Sequence, residues 1–119
     1  MSIDIRCYST RELDDLRSKL KHISQKYSHI FNDVYFIFEP KSVLARQEID
    51  AIDDRTAKYN FESTLLIAEE FGMINPRSYF SIRVMDKTFS ILDTPELADL
   101  LRKELGDTTL ILLNCETVI

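Results

Sequence analysis

The alternation of apolar and polar residues at the start of the chain predicts a β-strand. Ile3, Ile5 and Cys7 are apolar, whereas Asp4 and Arg6 between them are charged. A period of two is typical of a strand that buries one face. We therefore expect the chain to begin with a half-buried strand.

An amphipathic helix is predicted directly after this strand. Ser9 stands three residues before Glu12, the spacing of a capping box at a helix N-terminus. The apolar side chains that follow recur at spacings of three and four and so share one helical face. They are Leu13, Leu16, Leu20, Ile23, Tyr27 and Ile30.

The next apolar run predicts a buried strand. Residues Val34–Phe38 read VYFIF and are followed by Glu39 and Pro40. An uninterrupted run of this kind is typical of a central strand that is covered on both faces. Strand, helix and strand in this order predict a right-handed crossover unit whose two strands are parallel.

The middle of the chain has a weaker pattern. Residues 41–59 are polar and acidic with scattered apolar positions, which allows a short helix. Asn60 is expected to cap a longer helix that runs to about Phe71 and ends at Gly72. The expected inward side chains of that helix are Phe61, Leu65, Ala68 and Phe71.

Strand patterns return in the last third of the chain. Alternation over Tyr79–Leu92, interrupted by Asp86 and Lys87, predicts a hairpin. Thr94 and Pro95 predict a helix start, since threonine caps helices and proline is favoured at their first position. The helix has Leu97, Leu100, Leu101 and Leu105 at helical spacing and ends at Gly106. The LILL sequence within 109–118 predicts a further buried strand.

These elements predict one α/β domain spanning residues 1–119, with α+β as the alternative class. The expected order is β-α-β-(α)-α-β-β-α-β, which we interpret as a single mixed sheet with about three packed helices. The hydrophobic share of 45% and the charged share of 29% are ordinary for a globular protein. The first residues contain no apolar run of signal-peptide length and no segment has the length of a membrane span, so we expect a cytoplasmic protein.

Neither a cofactor nor a metal ion is expected. The chain has two glycines, Gly72 and Gly106, and both follow predicted helices instead of leading into one, as a phosphate-binding loop requires. Cys7 and Cys115 do not form a CxxC pair, which argues against zinc. We expect them to be free thiols in a reducing compartment, with a disulfide between the first and last strands as the alternative.

Few side chains suggest catalysis. Cys7 lies just before a predicted helix, where the helix dipole can lower a thiol pKa, but its place on the apolar face favours a structural thiol. His22 and His29 share one face of the first helix, about 10 Å apart along the axis, which favours surface histidines over a metal pair. Absence of a local motif does not exclude an active site assembled from distant residues.

The most distinctive polar feature is an acidic cluster. Glu48, Asp50, Asp53 and Asp54 lie in the poorly defined segment, and Glu62, Glu69 and Glu70 extend the cluster if the two segments lie side by side. Tyr59 lies beside it, and tyrosine is enriched at binding hot spots; the alternative is that Tyr59 packs in the core. The alternatives are a solvated acidic loop or a site for a hard cation, but the glycine of an EF-hand loop is missing.

We predict a small acidic protein that binds a basic protein partner. Acidic residues outnumber basic ones by 20 to 15, a formal charge of −5, which disfavours direct contact with nucleic acid. Examples of such a protein are an immunity protein or an antitoxin that neutralises a cationic nuclease or other toxin. Two alternatives remain: an enzyme with a non-local active site, and a structural or regulatory subunit of a larger assembly.

Overall fold

The computed structural model describes residues 3–28, 35–85 and 94–119, which form one six-stranded sheet with helices on both faces. The strands are β1 (Asp4–Ser9), β2 (Tyr35–Ile37), β3 (Lys41–Ser42), β4 (Ser78–Val84), β5 (Leu110–Leu113) and β6 (Thr117–Val118). The helices are α1 (Leu13–Lys26), α2 (Arg46–Asp50), α3 (Arg55–Glu70) and α4 (Thr94–Leu105). The predicted fold class, helices packed on a single sheet, is confirmed.

The sheet is antiparallel throughout the described residues. Its neighbours run in the order β2, β4, β1, β5 and β6, and β3 pairs with β4 at a different place from β2. β1 and β2 are both antiparallel to β4, so they point in the same direction with β4 between them. β1 and β2 are thus parallel, as predicted, but they are not neighbours, because β4 from later in the chain lies between them. As a result the sheet is antiparallel and not the mixed sheet that the sequence had predicted.

Alternation along the strands divides the core between the two faces of the sheet. Ile5 and Cys7 of β1 pack in one cluster with α1 and α4. Most leucines predicted for these helices are buried, whereas Leu13 and Leu100 are half-buried. Tyr8, on the opposite face, packs in a second cluster with residues of α2 and α3. In β5, Ile111 belongs to the first cluster and Leu112 to the second, which confirms a strand buried on both faces.

The capping box predicted at Ser9 and Glu12 is wrong. Ser9 is the last residue of β1, and its hydroxyl accepts a hydrogen bond from the Arg11 N–H at 3.1 Å. Glu12 occupies the N-cap position of α1 without a capping side-chain hydrogen bond. The chain thus turns between β1 and α1, and Ser9 stabilises that turn instead of the helix.

The second long helix begins six residues earlier than the sequence predicted. Asp54, not Asn60, is its N-cap, and the Asp54 carboxylate accepts from the N–H groups of Thr56 at 2.9 Å and Ala57 at 3.2 Å. Asn60 lies within the helix. Aspartate and asparagine both cap helices. The helix starts at Asp54 because this residue comes first in the chain and its side chain accepts hydrogen bonds from the backbone N–H groups that follow it. Gly72 ends the segment at a φ of 90°, a value that glycine adopts without strain.

The apolar run at 34–38 is not a central strand covered on both faces. Within the described residues β2 lies at the end of the strand order, and Phe36 and Phe38 are 50% and 37% exposed. Tyr35 on the other face is buried. An apolar run does not distinguish an edge strand with an exposed aromatic face from a central strand, and among the described strands β2 has the edge position.

Parts of two predictions lie outside the described residues. The first strand of the predicted hairpin is β4, whereas its second half, with Phe89 and Ile91, is not described. The same holds for Ile30 and His29 at the predicted end of the first helix. In the described ranges, no helix combines the length and the apolar character needed to cross a bilayer.

Candidate functional site

The acidic residues predicted to bind a partner lie on α2, α3 and the loop between them. Residues 46–70 contain seven carboxylates and three basic side chains, a formal charge of −4 compared with −5 for the whole chain. We call the seven carboxylates in this segment the acidic surface. They are Glu48, Asp50, Asp53, Asp54, Glu62, Glu69 and Glu70.

The two acidic segments lie side by side over the same face of the sheet. Arg46 at the start of α2 forms an ion pair with Glu69 near the end of α3, with Nη2 and Oε1 2.7 Å apart. Ile49 and Leu65 pack in one apolar cluster beneath the two helices. The short α2 and its loop therefore run beside α3, and the condition for a continuous acidic surface is met.

Three of the seven carboxylates take part in the fold itself. Asp54 caps α3, and Glu48 accepts from the Ala45 N–H at 3.1 Å at the start of α2. Glu69 is occupied by Arg46. These groups add negative charge to the surface, but their geometry is set by the helix ends and the ion pair.

The other four carboxylates have no such role. Asp50, Asp53, Glu62 and Glu70 make no hydrogen bond or ion pair with any described residue. Asp50, Asp53 and Glu70 are exposed and Glu62 is half-buried. No described residue neutralises these charges, so they can meet cationic groups of another molecule without first breaking a contact in the described part of the chain.

An apolar strip crosses the exposed side of α3 between these charges. Tyr59, Glu62, Leu66 and Glu70 recur at spacings of three and four, which places them on one helical face. Tyr59 is 69% exposed and Leu66 is 44% exposed. Tyr59 was predicted from the sequence but Leu66 was not, because only the inward residues of this helix were considered for its apolar pattern. The signal was present in the three-to-four spacing from Tyr59.

An open cavity of about 560 Å³ lies between α2 and the C-terminal end of α3. Val43, Leu65 and Met73 contribute apolar surface to it, and Glu69 lies among its lining residues. Ile74, also part of the lining, is 81% exposed. The acidic surface is thus bordered by a recess of mixed polar and apolar lining, large enough for a side chain of a partner.

The other candidate side chains lack the environment for chemistry. Cys7 is fully buried, and this burial raises the pKa of its thiol well above the ordinary value, which opposes thiolate formation. Cys7 and Cys115 are both free, so the alternative of a disulfide between them is wrong. His22 is exposed on α1. The described part of the chain holds no group of His, Cys, Asp or Glu suited to a metal ion.

Comparison with known proteins decides between the functional classes. The family model described as "CDI System Immunity Component" matches residues 1–117. The chain belongs to this family. As an immunity protein it neutralises a toxin, so it is an inhibitor and not an enzyme, and its partner is a protein.

A solved structure agrees with the immunity protein in fold. A chain of the "CdiA-CT/CdiI toxin and immunity complex from Burkholderia pseudomallei" superposes with a TM-score of 0.61 at 23% sequence identity. The alignment covers 98% of the immunity protein and 95% of that chain. Among curated proteins, none matches the sequence of the immunity protein.

Proposed function

We propose that the immunity protein neutralises its toxin by binding a basic surface of that toxin with the acidic surface of α2 and α3. The observation that carries this proposal is the set of four exposed or half-buried carboxylates that have no partner among the described residues. Two of them, Glu62 and Glu70, share one helical face with Tyr59 and Leu66. Carboxylates accelerate encounter with a cationic partner and fix its orientation, and close charge pairs in an interface add affinity.

Tyr59 and Leu66 supply the apolar part of the contact. Interfaces draw most of their affinity from a few large side chains that become fully desolvated, with polar groups around them. Tyr59 has most of its surface available for burial, and Glu62 lies between the two apolar residues on the same helical face. A toxin residue with an apolar side chain next to a lysine or arginine matches this arrangement.

The cellular setting of the proposal is the cytoplasm, with no direct contact to nucleic acid or membrane. Two free thiols, one of them fully buried, support a reducing compartment. The formal charge of −5 opposes binding to phosphate backbones and anionic lipids.

Neutralising part of the acidic surface tests the proposal. The variant Asp50→Asn, Asp53→Asn, Glu62→Gln removes three charges that form no hydrogen bond or ion pair with a described residue. We expect its affinity for the purified toxin domain of the same system to fall about tenfold to a hundredfold at low salt, mainly through a slower association rate. Surface plasmon resonance over a series of salt concentrations measures both the rate and its salt dependence.

The matched control neutralises the same residue types on the opposite face of the sheet. Asp14→Asn, Asp99→Asn, Glu96→Gln changes the net charge equally on α1 and α4, where the affected ion pairs are exposed. This control should bind with nearly wild-type kinetics. An equal loss of affinity for the toxin in both variants, or no loss of affinity in either, would show that the acidic surface is not the toxin-binding surface.

A further inference from the structure

A groove lies on the part of the sheet that α3 leaves uncovered. α3 reaches as far as Tyr8, whose hydroxyl donates to the Thr64 carbonyl at 3.0 Å. Beyond Tyr8 along β1, on the same face, come Arg6 and Asp4, which lie opposite Ser81 and Arg83 of β4. These side chains and those of neighbouring strands enclose an open cavity of about 510 Å³.

Arg6 occupies the groove without an anionic partner. Its guanidinium lies over the ring of Tyr79, 5.3 Å from the centroid. Its Nε is shielded from solvent, and no acceptor in the described ranges lies within hydrogen-bond distance of it. Burial lowers the pKa of Arg6. The hydrogen bond with Tyr8 and the nearby Cys115 and Tyr79 have a larger combined effect and raise that pKa, so the guanidinium stays charged.

The remaining charges of the groove largely cancel. Arg83 lies 3.3 Å from Asp4 and places its guanidinium 5.3 Å from the centre of the Phe38 ring. Glu39 is held by Arg17 at 2.8 Å. Among the described lining residues, the positive charges without an ion pair are therefore those of Arg6 and Lys41.

We propose that this groove is a second docking site, in which Arg6 receives the carboxylate of an aspartate or glutamate of the toxin. The inference rests on the proposed function in taking the toxin as partner, but it uses a different surface and the opposite charge. An arginine pairs best with a carboxylate when two parallel N–H groups donate to its two oxygens. Because Nε of Arg6 is shielded from solvent, the arriving carboxylate pairs with the two terminal N–H groups of the guanidinium.

The surroundings of Arg6 favour a protein carboxylate over a nucleic acid. Binding to a phosphate backbone requires a track of several unpaired cations, whereas this groove offers two. Asp4 and Glu39 line the same groove and would repel neighbouring phosphates. A single toxin carboxylate next to an apolar toxin side chain matches the groove better than a phosphate backbone does, since Phe36 and Phe38 present exposed aromatic surface beside the groove.

Two docking surfaces of opposite charge on one side of the sheet fix the orientation of the toxin. A toxin that places basic residues on the acidic surface and an acidic residue on Arg6 is held in one orientation. A rotated toxin brings like charges together, which costs affinity. The groove therefore contributes specificity as well as affinity.

Replacing Arg6 tests the docking site. Arg6→Met keeps an unbranched side chain at this position and removes the guanidinium that lies over Tyr79, with its charge and N–H donors. Lys41→Gln removes the other charge of the groove that has no ion pair among the described residues, at an exposed position. We expect Arg6→Met to weaken binding of the purified toxin domain by about tenfold or more and Lys41→Gln by a few-fold. Isothermal titration calorimetry measures the affinities, and urea unfolding shows that each variant is folded.

The control is Lys21→Gln, which removes the same charge from the exposed side of α1. A second arm replaces the acidic residues of the toxin one at a time with Asn or Gln, in wild-type and Arg6→Met backgrounds. For one toxin residue, the loss of affinity on its replacement should be at least about tenfold smaller in the Arg6→Met background than in the wild type. The proposal would be overturned if Arg6→Met and Lys41→Gln both bound the toxin with the affinity of Lys21→Gln. It would also be overturned if no acidic residue of the toxin were energetically coupled to Arg6.

Failure of this inference is distinguishable from failure of the proposed function. If the acidic-surface variant loses affinity and the groove variants do not, only the docking site is wrong. If the groove variants lose affinity and the acidic-surface variant does not, the proposed function is wrong. A single-stranded RNA oligonucleotide serves as the phosphate probe, and Arg6-dependent binding of it to the immunity protein would reassign the groove to phosphate.

Discussion

Glu104 on α4 illustrates how single side chains connect the helices on one face of the sheet. Its carboxylate accepts from the Lys26 ammonium at 2.9 Å and from the Tyr27 hydroxyl at 2.8 Å, both at the C-terminal end of α1. These two hydrogen bonds lower the pKa of Glu104 below its ordinary value. The ionised carboxylate is therefore bound more tightly in the folded state than in the unfolded chain.

This pKa shift predicts a pH-dependent contribution to stability. Because the folded-state pKa is the lower one, the contribution is present above the unfolded pKa of about 4.3 and is lost as pH falls through the folded pKa. Glu104→Gln should thus lower the free energy of unfolding at neutral pH and make little difference at about pH 3. Urea unfolding at both pH values measures the difference, with Glu116→Gln at an exposed position as control. If Glu104→Gln lowered the free energy of unfolding equally at both pH values, the contribution of Glu104 would come from its packing and not from its charge.

At the scale of the elements, α3 has an asymmetric charge distribution. Its N-terminus is capped by Asp54, which suits the positive end of the helix dipole. Its last turn has no basic residue and ends with Glu69 and Glu70, where negative charge is unfavourable. Glu69 is compensated by Arg46, whereas Glu70 makes no ion pair with a described residue.

Glu70 is therefore expected to cost stability while contributing to toxin binding. Glu70→Gln should raise the free energy of unfolding by about 0.3–1 kcal/mol at low salt and weaken toxin binding. Chemical denaturation and a binding titration on the same preparation measure the two effects. A variant that is both less stable and unchanged in affinity would contradict the interpretation of Glu70 as a binding residue.

Local patterns predicted most elements, since they depend on short-range spacing. The leucines of α1 and α4 and the glycines after α3 and α4 lie where the pattern put them. Helix starts were less predictable because two residues compete for each cap, as Asp54 and Asn60 did. The exposed face of β2 was missed since burial depends on which strands become neighbours.

At the scale of the whole molecule, the two faces of the sheet differ at the N-terminal end of β1. Residues of β1 that point toward α1 and α4, such as Ile5, are fully buried, whereas Asp4 and Arg6 on the other face line the groove. The groove could not be predicted from sequence, because Arg6 and Arg83 come from strands far apart in the chain. Only the antiparallel register of β1 and β4 places them on one surface.

Substitutions along β1 should therefore alternate in effect. Ile5→Ala is expected to lower the free energy of unfolding by about 2–5 kcal/mol through a core cavity. Asp4→Ala loses an exposed ion pair with Arg83 and should cost no more than about 1 kcal/mol. Urea unfolding of the two variants compares them directly. Similar losses at both positions would show that the groove face, too, is required for the fold.

The position of α1 on the far side of the sheet has a practical consequence for binding assays. A toxin that occupies the acidic surface and the groove leaves the outer side of α1 in water. Ser18, exposed in the middle of that helix, is a suitable attachment point for a fluorophore or a sensor-chip linker. A molecule anchored there presents its whole recognition side to the solution.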